Sequence, residues 1–318
     1  MIDLLSSIFS LEFVAMWIRV ATPIIFTSLG AVICEKSGVV NLGLEGIMLS
    51  AGLMGVIGSA YSNSLFIGML SGVLMGLILS ALFGFFHLYL KANPVLCGTA
   101  INLFSSGFTV FVMEQLTGEK GTTSSLLSKT FPVLNIPIID KIPVIGRLLS
   151  GHNVLSYIAI LMVFVVYVFL NKTPLGLRIR AVGENENAIK SVGANVNKLR
   201  FISIMLCGVL ASFGGMYLSM GYLDMFVKNM VAGRGFIALA ANAMGRCTPL
   251  GALLSSLLFA FFDGLSNIMQ ILRIPSEFVQ MLPYLATILG LVIYAININH
   301  IKTKKIKGVA NANIRENI

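Results

Sequence analysis

Apolar runs close to the roughly 20 residues a helix needs to cross a bilayer limit this chain more than any other feature. They cover Phe13 to Ile33, Gly46 to Ala60, Leu65 to Leu90, Pro94 to Met113, Val154 to Leu170, Phe201 to Met220, Leu250 to Ile271 and Gln280 to Ile296. A ninth stretch, Gly235 to Gly245, is apolar but short for a full span. Eight to ten transmembrane helices are expected. With 57% hydrophobic and 11% charged residues and a mean hydropathy of +0.91, the chain has far more apolar material than a soluble core of this length uses. It reads as an all-α, polytopic integral membrane protein.

The net charge of +9 reports topology rather than a nucleic-acid partner, because basic residues of membrane proteins gather in cytoplasmic loops. Residues 171–200 carry Lys172, Arg178, Arg180, Lys190, Lys198 and Arg200 against Glu184 and Glu186. The tail from 299 carries Lys302, Lys304, Lys305, Lys307 and Arg315 against Glu316, whereas 114–153 is nearly balanced. The first two are expected inside and the third outside. Both inner segments stay inside only if the short Gly235–Gly245 stretch helps to cross, and the five runs before residue 171 place the N-terminus outside unless another segment folds in near 35–60. Acidic Asp3 and Glu12 stand where a signal peptide has its basic region. Cys34, Cys97, Cys207 and Cys247 lie singly in apolar runs, and His87, His152 and His300 have no second ligand at helical spacing, so neither a disulfide framework nor a metal site is expected.

Two segments echo each other. At an offset of 190, GLEGIMLSAGLMG (Gly43 to Gly55) faces GRGFIALAANAMG (Gly233 to Gly245), with six of thirteen positions identical. An internal repeat whose halves each carry a glycine-interrupted apolar segment is a device by which transporters build a substrate site near the bilayer midplane. Broken helices expose backbone N–H and C=O groups that a polar substrate can satisfy and hydrocarbon cannot. Candidate pathway residues are therefore Asn41, Gly43, Glu45 and Gly46 in the first segment and Gly233, Gly235 and Asn242 in the second, with Asp263 added as a charge inside an apolar run. The glycines equally suit close helix packing, and Asn242 equally suits a bond to a neighbouring helix. Arg19, Asp224 and Arg234 are expected near interfaces, with their charged ends reaching water.

The stretch TPLGLRIRAVGENENAIKSVGANVNKLR, Thr173 to Arg200, is too polar to insert and too long for a turn, with a short helix expected over Glu184–Val192 between Gly183 and Gly193. Such a helix at the inner face suits docking to another protein; an ordinary solvated loop is the plainer alternative.

Taken together and in order, SGVVNLGLEGIML, TPLGLRIRAVGENENAIKSVGANV and AGRGFIALAANAMGRCTPLGALL resemble the permease subunits of bacterial ABC importers for nucleosides, within the larger group of permeases for ribose, other simple sugars and branched-chain amino acids. The resemblance spans about Leu29 to Leu265. It implies the type II ABC importer permease fold of about ten helices, with an inverted repeat and broken helices. One permease domain is then expected over residues 1–300 (first half about 13–170, coupling loop 171–200, second half about 201–298), followed by a basic cytoplasmic tail, 299–318. The resemblance also implies partners: two cytoplasmic ATPase subunits that bind the ATP, a second related permease and an extracytoplasmic substrate-binding lipoprotein, in a bacterial cytoplasmic membrane. Carried onto this chain, ATPase coupling falls on Ala181, Gly183, Glu184, Asn185, Ala188 and Gly193, with Asn187-Ala188-Ile189 standing where many importers have Glu-Ala-Ala.

No Gly-Lys dipeptide occurs, so the chain has no Walker A loop of its own, and neither G-x-S-x-G nor H-E-x-x-H is present. A transport subunit rather than an enzyme is expected, with no cofactor of its own. A neutral, hydroxyl-rich nucleoside suits a cavity of amides and backbone groups, and so does a ribose- or galactose-type sugar. An ion-coupled carrier using Glu45 and Asp263 is the third possibility, although it has no need of the long basic loop.

Overall fold

A computed structural model describes residues 11–134, 150–271 and 292. The expected run Gln280–Ile296 and the tail 299–318 lie almost wholly outside the described residues. Among these, ten α-helices are described: α1 (Leu11–Lys36), α2 (Leu44–Ser62), α3 (Leu65–Gly84), α4 (Pro94–Thr117), α5 (Val154–Lys172), α6 (Pro174–Glu184), α7 (Glu186–Ser191), α8 (Val196–Tyr217), α9 (Arg234–Met244) and α10 (Pro249–Ile271). Single π-turns, Phe85–Tyr89 and Leu218–Tyr222, prolong α3 and α8. A two-residue hairpin pairing, β1 (Val133–Leu134) with β2 (His152–Asn153), closes the segment between α4 and α5.

Seven of these helices are long and apolar enough to cross a membrane, and each lies on a run the sequence marks out. Their burial divides them into two groups. Of their apolar stretches, 83% of α1 and 67% each of α2 and α8 is buried, against 28%, 22%, 33% and 44% of α3, α4, α5 and α10. The first group forms the centre and the second presents apolar flanks outward, as a protein solvated by lipid does.

Small residues hold the centre together. A methyl group at Gly52 would lie 2.9 Å from the Gly215 carbonyl oxygen, one at Gly72 2.9 Å from that of Ala51, and one at Gly208 3.0 Å from that of Gly76. Thus α2, α3 and α8 meet backbone to backbone, and ordinary side chains would hold them apart. Lipid tails are as apolar as leucine, so close van der Waals contact is what selects this arrangement over lipid-separated helices.

The connections sort onto two faces. On one face the turn after α1 meets the basic loop, where the Arg200 Nε donates to the Ser37 carbonyl at 3.2 Å. On the other, residues 118–134 meet the end of α8: Thr123 N donates to Phe226 O, Lys228 N to Gly121 O and Phe131 N to Met220 O, each at 2.9 Å. Five spanning helices precede α6, so residue 11 lies on the face opposite the basic loop, a point the count of runs left open.

One local expectation needs correction, and one proviso is met. The basic loop holds two helices rather than one over Glu184–Val192: α6 runs through Gly183 to Glu184, and α7 starts afresh after Asn185, whose side chain accepts from Asn187 N and Ala188 N. A second N-cap, Thr173, with Pro174 in the first turn, starts α6 earlier than the glycine punctuation suggests. The Gly235–Gly245 stretch does not cross by itself. Helix α9 has 11 residues, about 16 Å at 1.5 Å per residue, and the rest of the crossing is made by the turn-rich segment 223–233, which starts on the far face at Phe226.

Candidate functional site

The two echoed segments begin helices at matching points. Gly43 is the N-cap of α2 and Gly233 the N-cap of α9, so the offset of 190 aligns helix start with helix start. Gly233 adopts φ +83°, a left-handed conformation that a Cβ would make costly. The helices leave their starts in opposite directions. From its start α2 runs to the far face, where Ser59 Oγ contacts Lys129 at 2.8 Å. Toward the basic face, α9 ends with Asn242 Nδ2 donating to the Glu35 carboxylate near the end of α1.

Where the two helix starts meet, Glu45 joins them. Its Oε1 accepts from Gly233 N and its Oε2 from Gly235 N, both at 2.8 Å. These are among the N–H groups at a helix start that lack a partner within the helix. Glu45 also lies in the first turn of its own helix, so the positive ends of two helix dipoles converge on one carboxylate. That convergence is the physical reason an acidic residue is tolerated in this apolar run. Next to it, Arg234 Nη2 pairs with Asp263 Oδ2 at 2.9 Å, with side chains only 18% and 15% exposed, and Nη1 donates to the Met230 and Val231 carbonyls. The expectation that Arg234 reaches toward an interface is thereby corrected: Asp263 on α10 offers a closer partner than water does.

The rest of the expected pathway set divides by position. Asn41 Oδ1 accepts from Gly43 N at 2.9 Å, shaping the turn into α2. Gly46 lets α2 approach α4: its N–H donates to Asn102 Oδ1 at 2.8 Å, Asn102 Nδ2 donates to Leu42 O at 2.9 Å, and a methyl at Gly46 would lie 2.8 Å from the Ile101 carbonyl oxygen. Gly235 packs on Glu45 so tightly that a methyl would lie 2.6 Å from the Glu45 nitrogen. Asn242 stands eight residues along α9, about 12 Å from this junction, and joins Glu35 instead. Two buried amide atoms, Asn41 Nδ2 and Asn242 Oδ1, have no hydrogen-bond partner. So the structure brings together Gly43, Glu45, Gly46, Gly233, Gly235 and Asp263 around one junction, with Asn41 on its approach and Asn242 at the inner end of α9.

The junction lies about 15 Å along α9 from its inner end, roughly half of a 30 Å hydrocarbon core. It is a meeting of backbone N–H groups, one carboxylate and one ion pair. Two of its supports, Asn102 and Arg234, escape a reading based on glycines. Asn102 is the one strongly polar residue of an otherwise apolar turn, and that was the available signal.

On the basic face, the residues expected to couple to an ATPase fall on two adjoining helices. Ala181, Gly183 and Glu184 close α6, Asn185 caps α7, Ala188 lies within it and Gly193 follows it at φ +79°. Helix α7 has no buried residue, so its surface is open to a partner. Lys190 first, and then Arg200, hold the Glu186 carboxyl below its ordinary range.

Comparison with known proteins agrees with this arrangement. Residues 13–296 match the family described as branched-chain amino acid transport system / permease component. The chain is 35% identical over 303 residues to a nucleoside ABC transporter permease of Lactococcus lactis, covering 89% of this chain and 95% of that protein. It is 37% identical over 287 residues to a guanosine ABC transporter permease of Bacillus subtilis, covering 85% and 88%. Among solved structures, an inward-facing conformation of a putative metal-chelate type ABC transporter superposes with a TM-score of 0.50 at 17% identity, covering 88% of this chain and 85% of the other. That likeness concerns the fold alone.

Proposed function

Since this chain belongs to the branched-chain amino acid transport system / permease component family, we propose that it is the membrane-spanning permease subunit of an ATP-driven importer of nucleosides. The observation that carries this reading is its 35–37% identity, over nearly the whole length, to permeases that are themselves named for nucleoside and guanosine transport.

The site chemistry supports it. A nucleoside is neutral and rich in hydroxyl groups, and the amide atoms Asn41 Nδ2 and Asn242 Oδ1, which have no partner of their own, offer it one donor and one acceptor without net charge. In this reading substrate passes the junction of Gly43, Glu45, Gly46, Gly233 and Gly235, with Asn41, Asn242 and Asp263 shaping its approaches.

The remaining parts come from partners. Without a Walker A loop, the chain takes its energy from cytoplasmic ABC ATPase subunits that bind the ATP and dock on α6 and α7. A second, related permease completes the pathway, and an extracytoplasmic binding lipoprotein delivers the nucleoside. The assembly sits in the bacterial cytoplasmic membrane with the basic face inside. Closure of the ATPases moves the docking helices and switches the helix pack between two arrangements.

The test is purification from native membranes in mild detergent, identification of co-purifying chains by mass, and guanosine uptake by reconstituted vesicles. Two ATPase subunits and a related permease are expected, with uptake that requires ATP and withstands an uncoupler. Recovery of the chain alone, or uptake that collapses with the ion gradient, refutes the reading. Preference for ribose over guanosine moves the substrate to the sugar class.

A further inference from the structure

Arg200, near the start of α8, touches both the docking helix and the chain that leads to the junction. Its Nη2 lies 3.0 Å from Glu186 Oε2 in the first turn of α7, and its Nε donates to the Ser37 carbonyl at 3.2 Å. The arginine side chain is 21% exposed and the glutamate 38%, so the pair is screened by solvent on the Glu186 side while the guanidinium is held against the turn.

The turn after α1 is gripped from a second side. Gly183 of α6 packs directly on the Lys36 carbonyl, and a methyl there would lie 3.1 Å from Gly38 N. The turn itself is tightly bonded, with Ser37 N donating to Cys34 O at 3.0 Å and Gly38 N to Glu35 O at 2.9 Å. From Ser37 the chain takes only eight residues to reach Glu45, and along that way Val39, Asn41 and Gly43 are buried.

Helix α7, by contrast, has room to move. It buries no residue and borders a cavity of about 620 Å³ whose lining includes His87, Lys91, Glu186, Lys190, Asn197 and Arg200. Its partly buried apolar side chain, Ile189, packs against Val182, Val196 and Leu199, and the rest of the helix is held by its ends and its ion pairs. Of these, the pair with Arg200 is the one whose side chain also reaches the turn after α1.

We propose that Arg200 is a positioning residue for transport: it passes displacement of α7 to the Ser37–Gly43 connection and so to the Glu45 junction. This rests on the reading of α7 as the ATPase dock. The guanidinium suits the role because its rigid fork holds two acceptors in fixed relation, which a lysine ammonium on a flexible stem does not.

The experiment uses the complete complex, purified with its ATPase subunits, supplied with its binding protein and reconstituted in vesicles. Guanosine uptake and ATP hydrolysis are measured together. In Arg200→Ala, uptake per ATP is expected to fall about tenfold, within the range usual for coupling between sites, while assembly and basal hydrolysis persist. Arg200→Lys should recover part of the ratio. Glu186→Gln, a change on an exposed helix that leaves folding alone, should lower the ratio too, and the double variant should be no worse than Arg200→Ala, because both changes cut one connection. If Arg200→Ala does not assemble, the Lys and Gln variants carry the same comparison. An unchanged ratio in these variants, or additive losses in the double variant, overturns the proposal while leaving the importer reading intact. A wild-type complex without ATP-dependent guanosine uptake overturns both.

Discussion

Replacing Glu45 should loosen the start of α9 in proportion to the number of N–H groups left unpaired. Each of its two oxygens accepts one backbone donor at 2.8 Å. Glu45→Gln keeps one acceptor oxygen and orphans one N–H, at a cost of about 1–3 kcal/mol. Glu45→Ala orphans both, about 2–6 kcal/mol, and either change removes the charge from two helix starts, worth about 0.3–1 kcal/mol for each. Measured polar contacts between membrane helices average only about 0.6 kcal/mol, so the lower ends of these ranges are expected. Hydrogen exchange read by mass spectrometry on the purified complex resolves this locally. About 1 kcal/mol speeds exchange through local opening about fivefold, so with both terms at their lower ends the peptide covering residues 233–238 should exchange about fifteenfold faster in Gln and about eightyfold in Ala. A peptide in the middle of α8 should not change. Equal exchange in wild type and both variants would show that Glu45 does not hold this helix start, and would return it to the pathway as a free carboxylate.

Other outcomes follow from the same geometry. Asp263→Asn leaves Arg234 with its charge uncompensated and should cost about 3–5 kcal/mol in resistance to denaturant, whereas the double change Arg234→Met with Asp263→Leu should recover most of it; a double variant as weak as the single one contradicts a simple pair. Gly215→Ala places a methyl against the Met48 carbonyl and should cost about 1–3 kcal/mol, seen as a lower melting temperature in detergent; unchanged melting argues against backbone contact there. For Glu186 the folded pKa is depressed, so its contribution is fully present above the ordinary value of 4.5 and disappears as pH falls through the lowered value. Exchange protection of 186–191 should therefore hold at pH 5 and be lost only as the pH falls below the ordinary value of 4.5; a loss between pH 6 and 7 would point to another group.

Sequence reasoning reached the spanning helices because bilayer thickness imposes a length that composition alone reveals: every described span overlaps a run visible by eye. It reached the helix starts at Gly43 and Gly233 because glycine at a break leaves a mark in the sequence that a repeat doubles. It missed the partners of those starts. Nothing near Glu45 says that its donors lie 188 and 190 positions away, and nothing near Arg234 says that Asp263 will stand one helix over. Local rules see caps such as Asn185 and Thr173, which act within three residues. They do not see a cap borrowed from the other half of the chain. The division of the basic loop into α6 and α7 was legible in principle from Thr173-Pro174 and Asn185, but the glycines at 183 and 193 drew the boundary to the wrong place.

The backbone contacts among α2, α3 and α8 bear on motion. Helices separated by long side chains can slide, because rotamers adjust like a cushion between them. Here the separators are single hydrogens, and the carbonyls of Ala51, Gly76 and Gly215 lie where a methyl would already collide. These three helices form a block with no slack, so the shape change of a transport cycle must be absorbed where the chain is not interlocked. Segment 223–233 is the non-helical stretch that leads into the half-length α9, with Asp224, Asn229 and Ala232 all at positive φ; its bonds to Gly121 and Thr123 and those of α9 to Glu45 must then exchange during the cycle. Labels on α3 and α8 would then keep one separation throughout the cycle while a label on α9 changes its distance to both: a hinged flap working against a fixed frame.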